Sequence, residues 1–494
     1  MTKKLKILLA SSEVAPFAKT GGLADVAGSL PSALQEMDCE VSVFLPFYRH
    51  TKTQDLNIKL VKRGLKAELG HWDFDFSLFH TKREGVDFYF IDKEEYYDRD
   101  FLYGTPQGDY PDNAKRFAFF ANAVLTGAQA INFKPDIIHC NDWQSALIPF
   151  YIKYKFQNSD FLKHAKTLFT VHNLAYQGLF EKDIMPELGI GYEFFTPDTL
   201  EFWDKFSFMK AGILYSNAIS TVSAGYAREI LTKEFGCGLD GLLNVRKNDL
   251  YGVLNGVDYS EWNPKVDRYI KAKYDETSLE GKEICKKDLL SEMKLSPGAD
   301  KPLLGVISRL AAQKGIDIIA DCAEAITKLG ASLVILGTGD EKYHKILTAL
   351  AKKYPKTIAV KIAFDNSLAH KIEAGSDMFL MPSRYEPCGL NQMYSLKYAT
   401  IPLVRATGGL DDTIIDYTKD PKNANGFKFN EAEISDFMDA LKRAVSVYKN
   451  KKQWHSLMLK AMSEDFSWGH SAKEYIKLYK KIQGARCEKY CASY

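Results

Sequence analysis

The chain has 494 residues, with 65 basic and 63 acidic side chains and a formal charge of +2. That length exceeds what one hydrophobic core organises, so two large domains are expected. The near-balance of charge argues against a general polyanion binder, nucleic acid included, although a local basic pocket stays open. No apolar run approaches the roughly 20 residues of a membrane span, and the run Ile7 to Ala10 is too short for a signal peptide. Eight cysteines, at 39, 140, 237, 285, 322, 388, 487 and 491, form no CxxC pair. A reduced, cytosolic setting is expected for such a chain.

Short apolar runs ending in Gly, Ser, Asp or Asn recur along the sequence, with helical patterns between them. The first half has LKILLAS (5–11), EVSVFLPF (40–47), VDFYFID (86–92), DIIHCND (136–142), KTLFTVHN (166–173), AISTVS (218–223) and LYGVLNGV (250–257). The second half has PLLGVISR (302–309), ASLVILGTG (331–339), TIAVKIAF (357–364), DMFLMPS (377–383) and IPLVRAT (401–407). Continuous apolar runs of this length are the pattern of parallel strands buried on both faces. Alternating with helices, they predict two doubly wound α/β domains. The Lys-, Asp- and Glu-rich stretch 259–301 reads as a linker with a surface helix. Near the end, HSAKEYIKLYKKIQ (470–483) places Tyr475, Leu478, Tyr479 and Ile482 at helical spacing.

Ligands of open α/β sheets bind beyond the carboxyl ends of the strands, so residues just after the apolar runs are the site candidates. AKTGGLADVAG (18–28) follows the first run, and its TGGLAD returns as TGGLDD at 407–412. Paired glycines allow a sharp turn and a close approach to main-chain N–H groups, and a helix beginning there favours a diphosphate or sugar hydroxyls. A glycine pair by itself more often marks a plain strand-to-helix turn. It is not the GxGxxG of dinucleotide enzymes. NDW (141–143) and VHNLAYQG (171–178) lie at two more strand ends, offering His172, Asn173 and Tyr176 as sugar contacts.

In the second half, ISRLAAQKGID (307–317) sets Arg309 and Lys314 at one turn, where two cations converge on a pair of phosphates. PSRYEPCGLNQ (382–392) puts Glu386 before Pro387, expected to open a helix, with Cys388, Gly389 and Leu390 supplying N–H groups. These clusters describe a ligand both phosphorylated and polyhydroxylated. DFD (73–75) resembles a metal-binding DxD, yet in HWDFDFSLF it reads as the solvated face of a strand. The histidines show no zinc spacing.

With these clusters assembled, the chain resembles the bacterial glycogen synthase and plant starch synthase family over nearly its whole length. The resemblance rests on KTGGLADV, VHNLAYQG, SRLAAQKGID and PSRYEPCGLNQMYSLKYATIPLVRATGGLDDTI. It implies a GT-B fold, in which two Rossmann-like domains face each other across a deep cleft. The expected divisions are 1–250, 251–465 and a C-terminal helix from 466 to 494 crossing back onto the first domain. It implies a retaining hexosyltransferase that moves glucose from ADP-glucose to the non-reducing 4-hydroxyl of an α-1,4-glucan, with no metal or other cofactor; the alternatives are the same reaction with UDP-glucose, or another retaining GT-B transfer. Its partners would be the nucleotide sugar and the glucan, and its location the bacterial cytoplasm, or a plastid for a mature plant form.

The resemblance also implies roles. Lys19 and Gly22 match the loop near the donor phosphates. Arg309 and Lys314 match the cations on the diphosphate, and Glu386 the carboxylate holding the donor glucose. His172 matches the histidine beside that glucose, Asn255 a nearby polar contact, and Phe364 the ring against the adenine. Cys388, Gly389, Leu390 and Asn391 match the phosphate-contacting turn. Asp25, Tyr97, Asp142 and Asn173 match acceptor-side residues. Three positions depart from wider patterns: Tyr394 stands where many GT-B enzymes have a second glutamate, Asn391 where threonine is common, and Phe364 where bacterial members often have tyrosine.

Overall fold

The computed structural model describes residues 4–296 and 300–484, so Cys487 and Cys491 lie outside it. The chain separates into two compact units. One holds the chain up to Val222, then 227–256 and the chain from Trp468 onward; the other holds Ser223–Tyr226 and Val257–Ser467.

The first unit is built on a nine-stranded sheet. Its first strand, Lys6–Ala10, pairs in parallel with Glu40–Pro46 on one side and Ile137–Asn141 on the other. Beyond the former come Val86–Asp92 and then an antiparallel pair, Trp72–Arg83 and Lys59–Leu69. Beyond the latter come Lys166–Val171, Ala218–Thr221 and Leu250–Gly252, all parallel. Ile7, Leu8, Leu9 and Ala10 are fully buried, as a strand covered on both faces demands. Asp73 and Asp75 lie exposed on Trp72–Arg83.

Helix Gly22–Glu36 buries Leu23, Val26, Leu30 and Leu34. A Cβ at Gly28 would stand 2.6 Å from the Ala15 carbonyl, so only glycine lets this helix lie so close to the loop before it. The helix Trp468–Gly484 packs on Gly22–Glu36, with Trp468, Ala472, Tyr475, Leu478, Tyr479 and Ile482 in the first unit's core. Tyr479 also reaches the sheet: its hydroxyl lies 2.9 Å from Nδ1 of the fully buried His139.

The second unit has a six-stranded, wholly parallel sheet. Its order is Ile358–Ile362, Ser332–Gly337, Leu303–Ile307, Met378–Met381, Ile401–Arg405 and Phe427–Phe429. The earliest strand in sequence, Leu303–Ile307, again sits inside, with later strands added on both sides.

The stretch 259–301 is not a linker. Its helix Glu280–Glu292 buries two lysines among partners. Lys282 donates to the Tyr398 carbonyl (2.8 Å) and the Thr400 hydroxyl (2.7 Å). Lys286 pairs with Asp377 at 2.7 Å, and the same carboxylate accepts the Leu303 N–H. Lysine composition misleads here because the stems are apolar and the ammonium groups are paired.

Candidate active site

In each unit the order of strands reverses beside the first strand, and the crevice at that reversal is where doubly wound sheets bind ligands. In the first unit the reversal lies between Lys6–Ala10 and Ile137–Asn141. The loops leaving it carry Ser11–Glu13 and Asp142–Trp143. In the second unit it lies between Leu303–Ile307 and Met378–Met381, whose loops carry Arg309 and Glu386. The expected residues therefore collect into two half-sites.

In the first half-site the KTGG loop is held by Glu13, which sequence reading missed. Its carboxylate is nearly buried and accepts the Thr20 N–H, the Thr20 hydroxyl at 2.5 Å, the Gly21 N–H at 3.1 Å and the Tyr103 hydroxyl at 2.8 Å. The signal that could have found it is an acid directly after the first buried strand. Gly21 caps the following helix and Gly22 opens it. Lys19 reaches Asp25 at 2.6 Å, so these two meet each other; burial raises the Asp25 pKa and the Lys19 charge opposes that rise.

Asp142 takes a backbone conformation rare for a side chain, with φ 54° and ψ 179°. Its carboxylate accepts the His172 N–H at 2.7 Å and the Asn173 N–H. Burial pushes the group up to about 7, against the pull of those two N–H donors. This strained backbone stands at the sheet's reversal point.

His172 is driven down to about 3 by burial, so its ring is neutral. Asn141 donates its Nδ2 to the Ala10 and His139 carbonyls at 3.2 and 3.4 Å, which leaves Oδ1 as the acceptor 2.9 Å from His172 Nε2. The proton is thereby assigned to Nε2, which leaves Nδ1 as an acceptor. Asn173 spends its side-chain oxygen on the Ala175 N–H. Asn255 is buried, and its side-chain oxygen has no partner among the described residues.

Tyr97 does not belong to this half-site. Its ring is wholly buried and its hydroxyl donates to the Arg116 carbonyl at 2.9 Å. Arg116 is also buried and donates to the Tyr96 and Leu102 carbonyls, so the tyrosine packs a folded loop instead of meeting an acceptor.

In the second half-site Lys314 pairs with Glu386 at 2.6 Å, and the Ser383 hydroxyl donates to the same carboxylate oxygen at 3.0 Å. Lys314 closes a short turn before Gly315, whose φ is +67° and whose missing Cβ would lie 2.1 Å from the Pro382 carbonyl. Arg309 donates to Gln313 at 3.0 Å, and Gln313 in turn donates to the Tyr385 carbonyl. The loop carrying both cations is thus braced against the loop carrying Glu386.

Pro387 does not open the following helix, which begins at Asn391. The intervening residues turn through Gly389 at φ +72°, a conformation that keeps the chain from becoming helical sooner. The Cys388 thiol is buried, and Leu390 is half-buried at the helix entry. The Asn391 side chain is committed to the fold, donating to the Ile307 carbonyl at 2.7 Å. Tyr394 lies in a stack, with Trp262 parallel to it at 4.1 Å and to His370 at 3.8 Å. Phe364 stands 84% exposed beyond the end of the strand Ile358–Ile362, on the same sheet edge as Arg309.

Residues 6–245 match the family described as starch synthase catalytic domain, and residues 291–456 match glycosyl transferases group 1. Fold and half-sites define a glycosyltransferase of the two-Rossmann, GT-B class. The chain is 47% identical to glycogen synthase of Koribacter versatilis over 98% of this chain and 99% of that one. It is 46% identical to glycogen synthase of Geotalea daltonii over 97% and 99%. It belongs to the glycogen synthase family of hexosyltransferases. Among solved structures, the catalytic domain of starch synthase IV from Arabidopsis thaliana, bound to ADP and acarbose, superposes with a TM-score of 0.90 at 32% identity, covering 98% of this chain and all of that one. Sucrose-phosphate synthase from Thermosynechococcus elongatus shares the fold, with a TM-score of 0.59 at 16% identity over 98% of this chain and all of that one.

Proposed function

We propose that the chain elongates an α-1,4-glucan, moving glucose from ADP-glucose to the 4-hydroxyl of the non-reducing end with retention at C1. The observation that carries this reading is the Lys314–Glu386 pair beside Arg309 at the reversal point of the second sheet. Glu386 accepts the hydroxyls of the donor glucose. Lys314 and Arg309 meet the diphosphate, and Phe364 offers an exposed face to the adenine.

The transition state gathers positive charge on the sugar ring and negative charge on the departing diphosphate. The bond from C1 to the β-phosphate oxygen breaks, and its electron pair leaves with ADP. The acceptor O4 bonds to C1 on the same face, and its proton passes to a β-phosphate oxygen. Cations already in place when the leaving charge grows lower the barrier by about 3–4 kcal/mol for each donor. In this reading they make a divalent metal unnecessary. Neutral His172 accepts a sugar hydroxyl through Nδ1, and Asp142 fixes the loop that carries it.

A cytoplasmic setting belongs to the same reading, supported by the bacterial glycogen synthases the chain resembles. No helix among the described residues is long and apolar enough to cross a membrane. The test is nucleotide release from ADP-glucose and UDP-glucose, with and without glycogen, in EDTA. Glycogen-dependent release, fastest with ADP-glucose, supports the reading. Preference for UDP-glucose overturns the donor assignment, and no release with either overturns the function.

A further inference from the structure

The catalytic loop of the first unit does not end at Gly178. It runs into the strand Leu179–Phe180, which pairs with Lys205–Ser207, which pairs in turn with Glu201–Phe202. This small three-stranded sheet is an outgrowth of the loop that carries His172, Asn173 and Tyr176. Its hairpin closes with two residues, Trp203 at φ 51° and Asp204 at φ 60°. Both central residues of such a turn need positive φ, and the residues that accept this readily are asparagine, aspartate and glycine. A tryptophan in the first position is an outlier in conformation, and its side chain stands 80% exposed.

That indole does not help to build the core, and it is tied back to the active loop. Gly238 packs against Phe202 and the Trp203 indole, near enough that a Cβ on Gly238 would lie 3.4 Å from Trp203 Nε1. The neighbouring Cys237 carbonyl accepts the Gln177 side chain at 2.9 Å. From the catalytic loop to the indole there is one hydrogen bond and one packed contact. On the loop itself, Tyr176 is 50% exposed. The hairpin's flanks are polar: Glu201 accepts the Asp204 N–H, and Lys205 pairs with Glu181.

A flat apolar face with hydrogen-bonding groups at its rim suits a pyranose ring, whose C–H face stacks on the indole while its hydroxyls meet the rim. The only polymer the reaction handles is the glucan. We propose that Trp203 is a binding platform for an α-glucan chain, holding sugar units behind the end that reacts near His172. The proposal rests on the function given above. It goes beyond it in assigning a site on a hairpin that takes no part in the chemistry.

The test compares Trp203→Ala, Trp203→Phe and the control Trp72→Ala, a tryptophan 72% exposed on a different hairpin. The readouts are retardation in glycogen-containing native gels without donor, and transfer from ADP-glucose to glycogen and to maltose. Trp203→Ala is expected to weaken glycogen retention and raise KM for glycogen by roughly three- to tenfold, the scale of one lost aromatic stack. Its kcat and its rate on maltose stay at wild-type values, Trp203→Phe recovers most of the loss, and Trp72→Ala changes neither. Trp203→Ala matching wild type in retention and KM overturns the platform while leaving the function intact. An equal loss on maltose and glycogen also overturns it, since a remote platform cannot act on so short an acceptor. If the wild-type protein neither transfers nor is retarded, the function itself falls, and the platform with it.

Discussion

The side chain of Asn391 donates to the carbonyl of Ile307 at 2.7 Å. It ties the start of one helix to the last residue of the strand leading to Arg309, so the turn through Gly389 and the Arg309 loop keep a fixed spacing. Asn391→Ala leaves a strand-end carbonyl unpaired, at about 1–3 kcal/mol where water cannot replace the bond. The expected result is a raised KM for ADP-glucose and a lower Tm, read by initial rates and thermal unfolding.

Lys314 and Glu386 give the sharpest kinetic expectation. Lys314→Gln keeps most of the volume and removes the charge proposed to meet the leaving diphosphate. Loss of one preorganised donor lowers kcat about 10²–10³-fold. KM for glycogen should change little, and steady-state kinetics against each substrate separate the two.

Glu13 is expected to matter although it lies behind the site. Glu13→Ala releases the Thr20 and Gly21 N–H groups and the Tyr103 hydroxyl together. Stability should fall by about 1–3 kcal/mol, with a larger loss of activity because the KTGG loop loses its anchor. Urea unfolding alongside activity checks both, and Glu13→Gln should recover part of each.

Asp142 carries a pH signature. Its folded pKa, pushed to about 7, lies above the ordinary aspartate value of 3.8. Between those values the folded chain holds a proton that the unfolded chain has released. The corresponding stabilisation is complete below about 3.8 and is lost as pH rises through about 7. Asp142→Asn does not titrate. Relative to the variant, the wild-type protein should therefore lose stability between pH 5 and pH 8, as measured by denaturant midpoints at each pH.

The C-terminal helix should be inseparable from the first unit. Leu478 is buried in that unit's core, so Leu478→Ala should cost about 2–5 kcal/mol. Tyr479→Phe, which leaves His139 Nδ1 without its partner, should cost about 1–3 kcal/mol. Chemical denaturation of the two variants gives both values.

Much of the fold is legible in the sequence because buried parallel strands write themselves as continuous apolar runs. Leu303–Ile307 and Met378–Met381 can be read at sight, and the loops just after them carry Arg309 and Glu386 to the sheet's reversal point. Lys59–Leu69 escapes because an exposed edge strand carries lysines where a central one carries leucines. Helix Glu280–Glu292 is misread because composition does not show that Lys282 and Lys286 find carbonyl and carboxylate partners. Tyr97 illustrates the limit of motif transfer: resemblance places a residue near a site, but only packing against Arg116 tells which way its ring turns. Trp203 leaves no periodic signal, since its meaning lies in a turn conformation and in exposure.

The most direct test of the central claim uses ADP-glucose labelled with ¹³C at C1 of the glucose, incubated with glycogen and followed by NMR. Retaining transfer to the 4-hydroxyl is expected to give new α-1,4 signals alone, appearing in step with ADP. New β-linked signals, or labelled free glucose without growth of the glucan, would contradict the account.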